Sequence, residues 1–174
     1  MATDIMKQAG LFLLFLVAQV LVLGRIHLFH CATPLFYVYF VTMFARNYPK
    51  WALLLWGFFL GLLVDVFYNT PGLAAGSLVL IAAIQPYWLE LFAPHDSADS
   101  FEPSLRTLGP TKYAWYLIPL VSLYCVVFFS LEFFNLSDMK HWAMCVVGST
   151  IITLLLIFTF EIARGRNEEP RVRL

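Results

Sequence analysis

Charged side chains are scarce in this chain of 174 residues: they make up 13% of it, whereas apolar residues make up 61%. The mean hydropathy is +0.78. Soluble globular domains carry about 25% charged residues. The composition therefore excludes a water-soluble domain, a disordered chain and a nucleic-acid-binding protein. Because the formal net charge is zero, any charge signal must come from where the charged residues lie.

Cysteine is also rare, and Cys31, Cys125 and Cys145 show no paired spacing. We therefore expect neither a disulfide framework nor a zinc site, and we predict no cofactor. His27 and His30 flank the predicted outward loop beside Cys31, but a metal site there would need more ligands.

Catalytic constellations are missing as well. A rhomboid-like protease needs an intramembrane serine within reach of an intramembrane histidine. Ser77 and Ser149 lie inside apolar runs, whereas His95 and His141 lie at or beyond the ends of such runs. The sequence also has no aspartate cluster for a metal-dependent transferase and no glycine loop with a lysine for phosphate. These absences favour a protein that is not an enzyme.

What the sequence does contain is long apolar runs. A transmembrane helix needs about 20 mostly apolar residues, because the hydrocarbon core of a bilayer is about 30 Å thick. The runs predict an all-α integral membrane protein, in which residues 1–163 form a compact bundle of six transmembrane helices. The predicted spans are residues 5–24, 33–45, 51–68, 72–92, 113–134 and 141–163.

The second span is the shortest of the six. Pro34 to Ala45 covers only twelve residues, which is too short to cross alone as a helix. The segment either borrows from Ile26–Cys31 or is partly re-entrant and covered by its neighbours. Pro34 suits the first turn of a helix, where its missing N–H costs little. We expect a span here because the segment is too apolar to leave in water.

The basic residues predict the orientation, because Lys and Arg in short loops favour the cytoplasmic side. With six spans, nine of the eleven basic residues fall on one side, including Arg46 and those of the 93–112 loop and the 164–174 tail. We therefore place that loop and that basic tail in the cytoplasm, together with the N-terminus. With only five spans, Lys7 and Arg25 exchange sides and the C-terminal half keeps its orientation.

Asp65 is the strongest polar anomaly, since it lies inside the third span. A carboxylate at the bilayer centre costs about 2.5–3.5 kcal/mol, and such residues usually face the bundle interior and find a partner. Gly57, Gly61 and Asp65 are four residues apart and share one helix face. We predict that Asp65 accepts hydrogen bonds from the free N–H groups at the start of the fourth span.

A turn joins the third and fourth spans, and small residues follow it. In Asn69-Thr70-Pro71-Gly72, Asn69 or Thr70 is expected to cap and Pro71 to open the next helix. Gly72 and Gly76 form a second G-x-x-x-G, which we expect to face the first, since small residues let helices approach closely in lipid. The sequence leaves three roles open for Asp65: it fixes this hairpin, it contacts a partner protein, or it handles an ion, proton or substrate.

Other polar residues give weaker signals. Gln19 and Gln85 lie within spans and are expected to form interhelical hydrogen bonds. Glu90, Glu132 and Glu161 lie near span ends, from which we expect them to reach the membrane interface. Asn135-Leu136-Ser137 matches a glycosylation triplet, which would matter only in a secretory pathway.

The order of these features resembles the MreD family of rod-shape-determining proteins. The resemblance covers roughly residues 11–92. It rests on Pro34 opening a short aromatic segment that ends at Arg46, and on the stretch from Gly61-Leu62-Leu63-Val64-Asp65 to Thr70-Pro71-Gly72-Leu73-Ala74-Ala75. The turn Tyr68-Asn69-Thr70-Pro71 and the aromatic-rich spans resemble Bacteroidetes members. The long acidic 93–112 loop departs from the family pattern, which puts the cytoplasmic contact surface in doubt.

The resemblance implies a non-enzymatic scaffold in the bacterial inner membrane. It implies a fold similar to the substrate-capturing subunits of energy-coupling-factor vitamin transporters. It also implies that the protein binds MreC directly and acts together with the MreB filament, RodA and its transpeptidase partner. Membrane lipids surround it. Gly61, Asp65, Pro71, Gly72 and Pro34 match family positions, and no established ligand comes with them.

The alternative function is the substrate-binding subunit of a vitamin importer. Those subunits usually present small residues on span one to dock their energising partner. Span one here has Ala9, Gly10 and Ala18 but no repeated A-x-x-x-A, which favours the scaffold.

Overall fold

The computed structural model describes residues 2–22, 33–93, 101–133 and 139–167, and this part of the chain is helical and without strands. A π-helical turn, Ala18–Val22, continues directly from the first helix. The helices are α1 (Ala2–Val17), α2 (Val38–Thr42), α3 (Lys50–Tyr68), α4 (Leu73–Glu90), α5 (Leu105–Leu108), α6 (Pro110–Glu132) and α7 (Met139–Asn167).

Four helices are long and apolar enough to cross a membrane, which is the character of a multi-pass membrane protein. They are Lys50–Tyr68, Leu73–Glu90, Pro110–Glu132 and Met139–Arg164 within α7. An apolar helix over Met6–Leu21 is shorter. The sequence predicts six spans, and the described residues contain four helices of sufficient length.

The second predicted span, 33–45, is not a continuous helix. Only Val38–Thr42 is helical, and Pro34 lies in the non-helical segment before α2, so the prediction that Pro34 opens a helix is wrong. Every residue of α2 is buried, as expected for a segment that its neighbours cover. The other form that the sequence left open, which borrows from Ile26–Cys31, lies outside the described residues. The predicted spans 51–68, 72–92, 113–134 and 141–163 agree closely with α3, α4, α6 and α7 in that order.

Several sequence predictions fall outside the described residues. They concern Arg25, His27, His30, Cys31 and the last two residues of the first span. They also concern His95, the Asn135–Ser137 triplet and the end of the basic tail.

Aromatic rings surround α2 at the centre of the bundle. Phe15 of α1 lies edge-on to Tyr39, with ring centroids 5.7 Å apart, and Phe160 of α7 lies 5.8 Å from the same ring. On the other side, Tyr37 packs edge-on against Tyr124 of α6, with centroids 5.8 Å apart. Such edge-to-face pairs add to the burial of apolar area. The short segment thus lies within the aromatic core of the bundle.

The long helices end where the sequence breaks the helical backbone. α3 ends at Asn69, which adopts a left-handed conformation with φ of 56°. α4 begins after Gly72, also left-handed with φ of 86°, which glycine adopts without strain. α6 begins with Pro110, whose missing N–H is no loss in a first turn. The tight connection between α3 and α4 makes them an antiparallel hairpin, and these two helices pack most closely together.

Candidate functional site

Asp65 lies at the closed end of the α3–α4 hairpin and is only 3% exposed. Its Oδ1 atom accepts hydrogen bonds from the Thr70 hydroxyl (3.1 Å) and the Ala74 main-chain N–H (2.8 Å). Its Oδ2 atom accepts from the Ala75 N–H (3.0 Å). The prediction that this carboxylate binds the free N–H groups of the fourth span is confirmed. We call Asp65, Thr70, Ala74 and Ala75 the Asp65 clamp.

The clamp explains how a carboxylate is tolerated in this apolar bundle. The first N–H groups of a helix have no partner within the helix, and the helix dipole makes that end positive. Asp65 supplies acceptors to two of these N–H groups in α4, and its negative charge lies next to the positive end of that helix. Both the helix end and the carboxylate are thereby satisfied, which offsets the cost of removing the charge from water.

Gly61 brings the two helices into the contact that the clamp needs. A Cβ atom on Gly61 would lie 2.4 Å from the Cα and 2.6 Å from the N of Ala75, and both are backbone atoms. At Gly57, one turn earlier, a Cβ atom would lie 3.4 Å from the Ala82 Cβ, so the helices diverge slightly. The predicted glycine face of α3 is therefore the one that packs on α4.

The matching glycine face predicted for α4 is wrong. Gly76 is exposed, and a Cβ atom added to it would meet nothing within 4 Å. Ala74 and Ala75 take its place opposite Gly61. Gly72 acts through its left-handed backbone as the residue preceding α4, so it is Gly72 that caps the helix, and Pro71 lies in the turn instead of opening the helix.

Gln19 links the first apolar helix to the segment before α2. It lies in the π-helical turn, is 3% exposed, and donates from Nε2 to the Pro34 carbonyl (2.9 Å). Gln85 of α4 makes the corresponding link at the other end of α2, donating to the Phe44 carbonyl (3.2 Å) and the Tyr116 hydroxyl (3.1 Å). Both glutamines thus bind the irregular segment that carries α2.

Two hydroxyl side chains of α7 satisfy N–H groups of the same segment. Ser149 accepts from the Thr33 N–H (3.1 Å) and Thr153 accepts from the Leu35 N–H (3.0 Å). Non-helical backbone is tolerated at membrane depth only where protein or a cavity satisfies it. These contacts explain why 33–37 can remain unwound inside the bundle.

Replacing Thr153 with valine tests this role. The variant keeps the side-chain shape and leaves the Leu35 N–H without its acceptor, so we expect the free energy of unfolding to fall by about 1–2 kcal/mol. Thermal unfolding in detergent measures the change. Thr159→Val is the control, because Thr159 is exposed on the same helix and bonds only to Leu155 in its own helix. Equal losses in both variants would contradict the assignment.

Glu161 is a second buried carboxylate, at 4% exposure, so the prediction that it reaches the interface is wrong. It accepts hydrogen bonds from the Tyr39 hydroxyl and from the Leu105 N–H (3.3 Å). A spacing signal could have revealed it: Ser149, Thr153 and Glu161 lie on one buried stripe of α7, four or eight residues apart. Glu90 and Glu132 are exposed at helix ends, as expected.

Arg46 lies at the same end of the bundle as Glu161. The Arg46 side chain is exposed, and its main-chain N–H donates to the Phe101 carbonyl (3.0 Å). Arg164 and Glu102 approach to 3.8 Å. The described part of the 93–112 loop is therefore attached to the bundle by main-chain and charged contacts.

A cavity of about 270 Å³ lies between the closed end of the hairpin and the facing ends of α6 and α7. Its wall includes Gln19, the non-helical segment before α2, and Thr70 and Ala74 of the clamp. Glu132 and His141, which are both exposed, also line it. We call it the Gln19 cavity.

The buried polar side chains described above bind main-chain groups and hold the helices in position. Within the described ranges, no group of three or more His, Cys, Asp or Glu side chains is arranged to hold a metal ion. Ser77 donates to the Leu73 carbonyl of its own helix (2.7 Å). No family model, curated protein or solved structure matches this chain, so a functional proposal rests on its own residues.

Proposed function

We propose that this chain is a non-enzymatic scaffold of the bacterial cell-wall elongation complex, as its resemblance to MreD implies. In this proposal it lies in the inner membrane, binds MreC directly, and couples the MreB filament to RodA and its transpeptidase partner. The observation that carries the proposal is the Asp65 clamp. The stretch that bears the resemblance, Gly61 to Ala75, closes one rigid hairpin whose polar groups are used within the protein.

The orientation belongs to the same proposal. The C-terminus, the 93–112 loop and the N-terminus face the cytoplasm, and the Asp65 clamp then faces the outer side. Six segments cross or enter the bilayer, with 33–45 covered by its neighbours. The arrangement is similar to the substrate-capturing subunits of vitamin transporters.

The free face of α3 is the surface that we propose for MreC. With Gly57, Gly61 and Asp65 turned toward α4, the opposite stripe of α3 is apolar and exposed, and Val66 reaches 70% exposure. The other members of this stripe are Leu55, Phe59 and Leu62. Helices associate in lipid by close packing, so a rigid helix with one free face suits a single membrane-spanning partner helix.

Co-purification of MreC with Val66→Trp tests this surface. A bulky ring on the free face obstructs a docked helix and leaves the packing on α4 unchanged, so we expect MreC capture to fall about tenfold. Ile151→Trp is the matched control, because Ile151 is 52% exposed on α7. Capture that is unchanged by Val66→Trp would contradict the α3 surface, and failure of the wild-type chain to bind MreC would contradict the function.

A second candidate function is the substrate-binding subunit of an energy-coupling-factor importer. The Gln19 cavity is the observation that favours it. A vitamin retained through purification supports this candidate, whereas stoichiometric capture of MreC supports the scaffold.

A further inference from the structure

Large aromatic rings extend outward from three neighbouring helices at the end of the bundle that carries Arg46. They are Trp51 in the first turn of α3, Tyr87 near the end of α4 and Trp115 near the start of α6, and they are 69%, 62% and 68% exposed. Amphipathic rings on the outer face of a membrane protein are enriched at the level of the lipid headgroups. The three rings therefore mark where this end of the bundle leaves the hydrocarbon core.

Two contacts place these rings at one level. The Lys50 ammonium lies 4.1 Å from the centroid of the Tyr87 ring, so the start of α3 lies beside the end of α4. The indole N–H of Trp88 donates to the Tyr116 main-chain carbonyl (3.1 Å), so the end of α4 also lies beside the start of α6. α4 packs against both of the other helices. The rings thus form one band across α3, α4 and α6.

Basic side chains border this band. Arg46 lies in the connection before α3, Lys50 is the first residue of α3, and Lys112 lies in the first turn of α6; all three are exposed. Residues three apart share a helix face, so Lys112 lies beside Trp115. Within the described ranges, no side-chain hydrogen bond or ion pair engages Arg46, Lys50 or Lys112. The contact of Lys50 with the Tyr87 ring leaves its N–H groups able to donate, so all three cations are available to a ligand.

The nearby acidic side chains of the described residues do not balance these charges. Glu90 is exposed at the end of α4, one turn after Tyr87. Glu102 lies 3.8 Å from Arg164, which opposes its charge. Each Lys or Arg near an anionic membrane surface is attracted to it, over a distance of about one Debye length. An anionic headgroup therefore complements this band in both charge and level. We call the three basic residues and the three exposed rings the Lys50 rim: Arg46, Lys50, Trp51, Tyr87, Lys112 and Trp115.

We propose that the Lys50 rim binds the headgroup of an anionic phospholipid. Arg46, Lys50 and Lys112 face its phosphate, and the aromatic rings lie between the headgroup and the acyl chains. Tyr87 is a positioning residue, because its ring holds the Lys50 ammonium at the level of the headgroup. The bound lipid fixes the depth of α3, α4 and α6 in the bilayer. The assignment goes beyond the scaffold proposal and depends neither on MreC binding nor on which side of the membrane the rim faces.

Lipid retention by the purified full chain tests this site. The chain is placed in nanodiscs with equal amounts of phosphatidylglycerol, which is anionic, and phosphatidylcholine, which has no net charge. Native mass spectrometry then identifies the lipids that stay bound, and we expect the wild-type chain to prefer phosphatidylglycerol. Lys50→Gln should lower this preference about fivefold, the effect of one basic side chain at an anionic membrane surface. Lys50→Arg keeps the charge and should keep the preference. Lys50 is exposed, so both variants should fold.

Lys140→Gln is the matched control for the loss of a charge. Lys140 is exposed in the first turn of α7, at the opposite end of the bundle, so this variant should keep the wild-type preference. Replacement of Tyr87 separates positioning from charge. Tyr87→Leu removes the ring beneath Lys50 and should lower the preference, whereas Tyr87→Phe keeps an aromatic face and should not.

Three results would overturn the proposal. The first is a wild-type chain that retains phosphatidylglycerol and phosphatidylcholine equally. The second is an equal loss of preference in Lys50→Gln and Lys140→Gln, since that indicates general attraction to a charged surface without a site. The third is soluble glycerol phosphate that binds as tightly as the lipid, which would assign the rim to a free anion. Retention that depends on Lys50 and on the Tyr87 ring, and that decreases as salt rises, supports the headgroup site.

Discussion

Gly61→Ala is expected to lower the free energy of unfolding by about 3 kcal/mol, at the upper end of the usual cost of overpacking. The added methyl group would lie 2.4 Å from the Ala75 Cα. Because the obstructing atoms are backbone, no side-chain rotation can relieve the contact, and α3 and α4 must move apart. That movement also lengthens the hydrogen bonds from Ala74 and Ala75 to Asp65. Thermal or denaturant unfolding in detergent measures the loss.

Gly76→Ala is the matched control for this result. Both glycines lie in the same hairpin, but a Cβ atom at Gly76 meets nothing within 4 Å. Alanine is favoured over glycine in a helix by up to about 1 kcal/mol, so this variant should be as stable as the wild-type chain or slightly more stable. If the two variants unfolded alike, the close approach at Gly61 would be contradicted.

Asp65→Asn is expected to cost about 3 kcal/mol, since it removes both an acceptor and a charge. Three donors converge on the carboxylate: the Thr70 hydroxyl and the N–H groups of Ala74 and Ala75. An asparagine amide has one oxygen, so it can replace one carboxylate oxygen only. Its NH₂ group would then face a main-chain N–H, and that buried donor would lose its partner.

Glu90→Gln controls for the loss of a negative charge. Glu90 is exposed at the far end of α4, where a surface substitution changes stability by less than about 0.5 kcal/mol. Hydrogen exchange provides a second readout, because the Ala75 N–H should exchange faster in Asp65→Asn than in either the wild-type chain or Glu90→Gln. An Asp65→Asn chain that unfolds and exchanges as the wild type does would refute the clamp.

The candidate site was predictable from the sequence in part. Asp65 stands out because a carboxylate inside an apolar run must find donors, and the nearest unpaired donors are at the start of the next helix. Gly61 stands out because it shares the helix face of Asp65. These are local signals, carried by a few residues on either side of one turn.

Other parts of the site depend on how the helices are rotated and crossed. Sequence spacing places Gly72 and Gly76 on one face of α4, but the rotation of α4 turns Gly76 outward and Ala75 toward Gly61. The position of Glu161 near a helix end predicts that it reaches the interface, whereas its spacing from Ser149 and Thr153 indicates a buried face. Its partners, Tyr39 and Leu105, lie far away in the chain, so the sequence does not identify them.

The order of the residues is enough to predict a membrane environment, the long helices, the α3–α4 turn and the need of the Asp65 carboxylate for hydrogen-bond donors. These features depend on the length of apolar runs, the helical period and the cost of burying a charge. Each of these can be evaluated over a short stretch of the sequence. By contrast, the unwound backbone of 33–37 and its hydrogen bonds to Ser149 and Thr153 depend on how the helices pack. Those partners are more than a hundred positions away in the chain, and only packing brings them within hydrogen-bond distance.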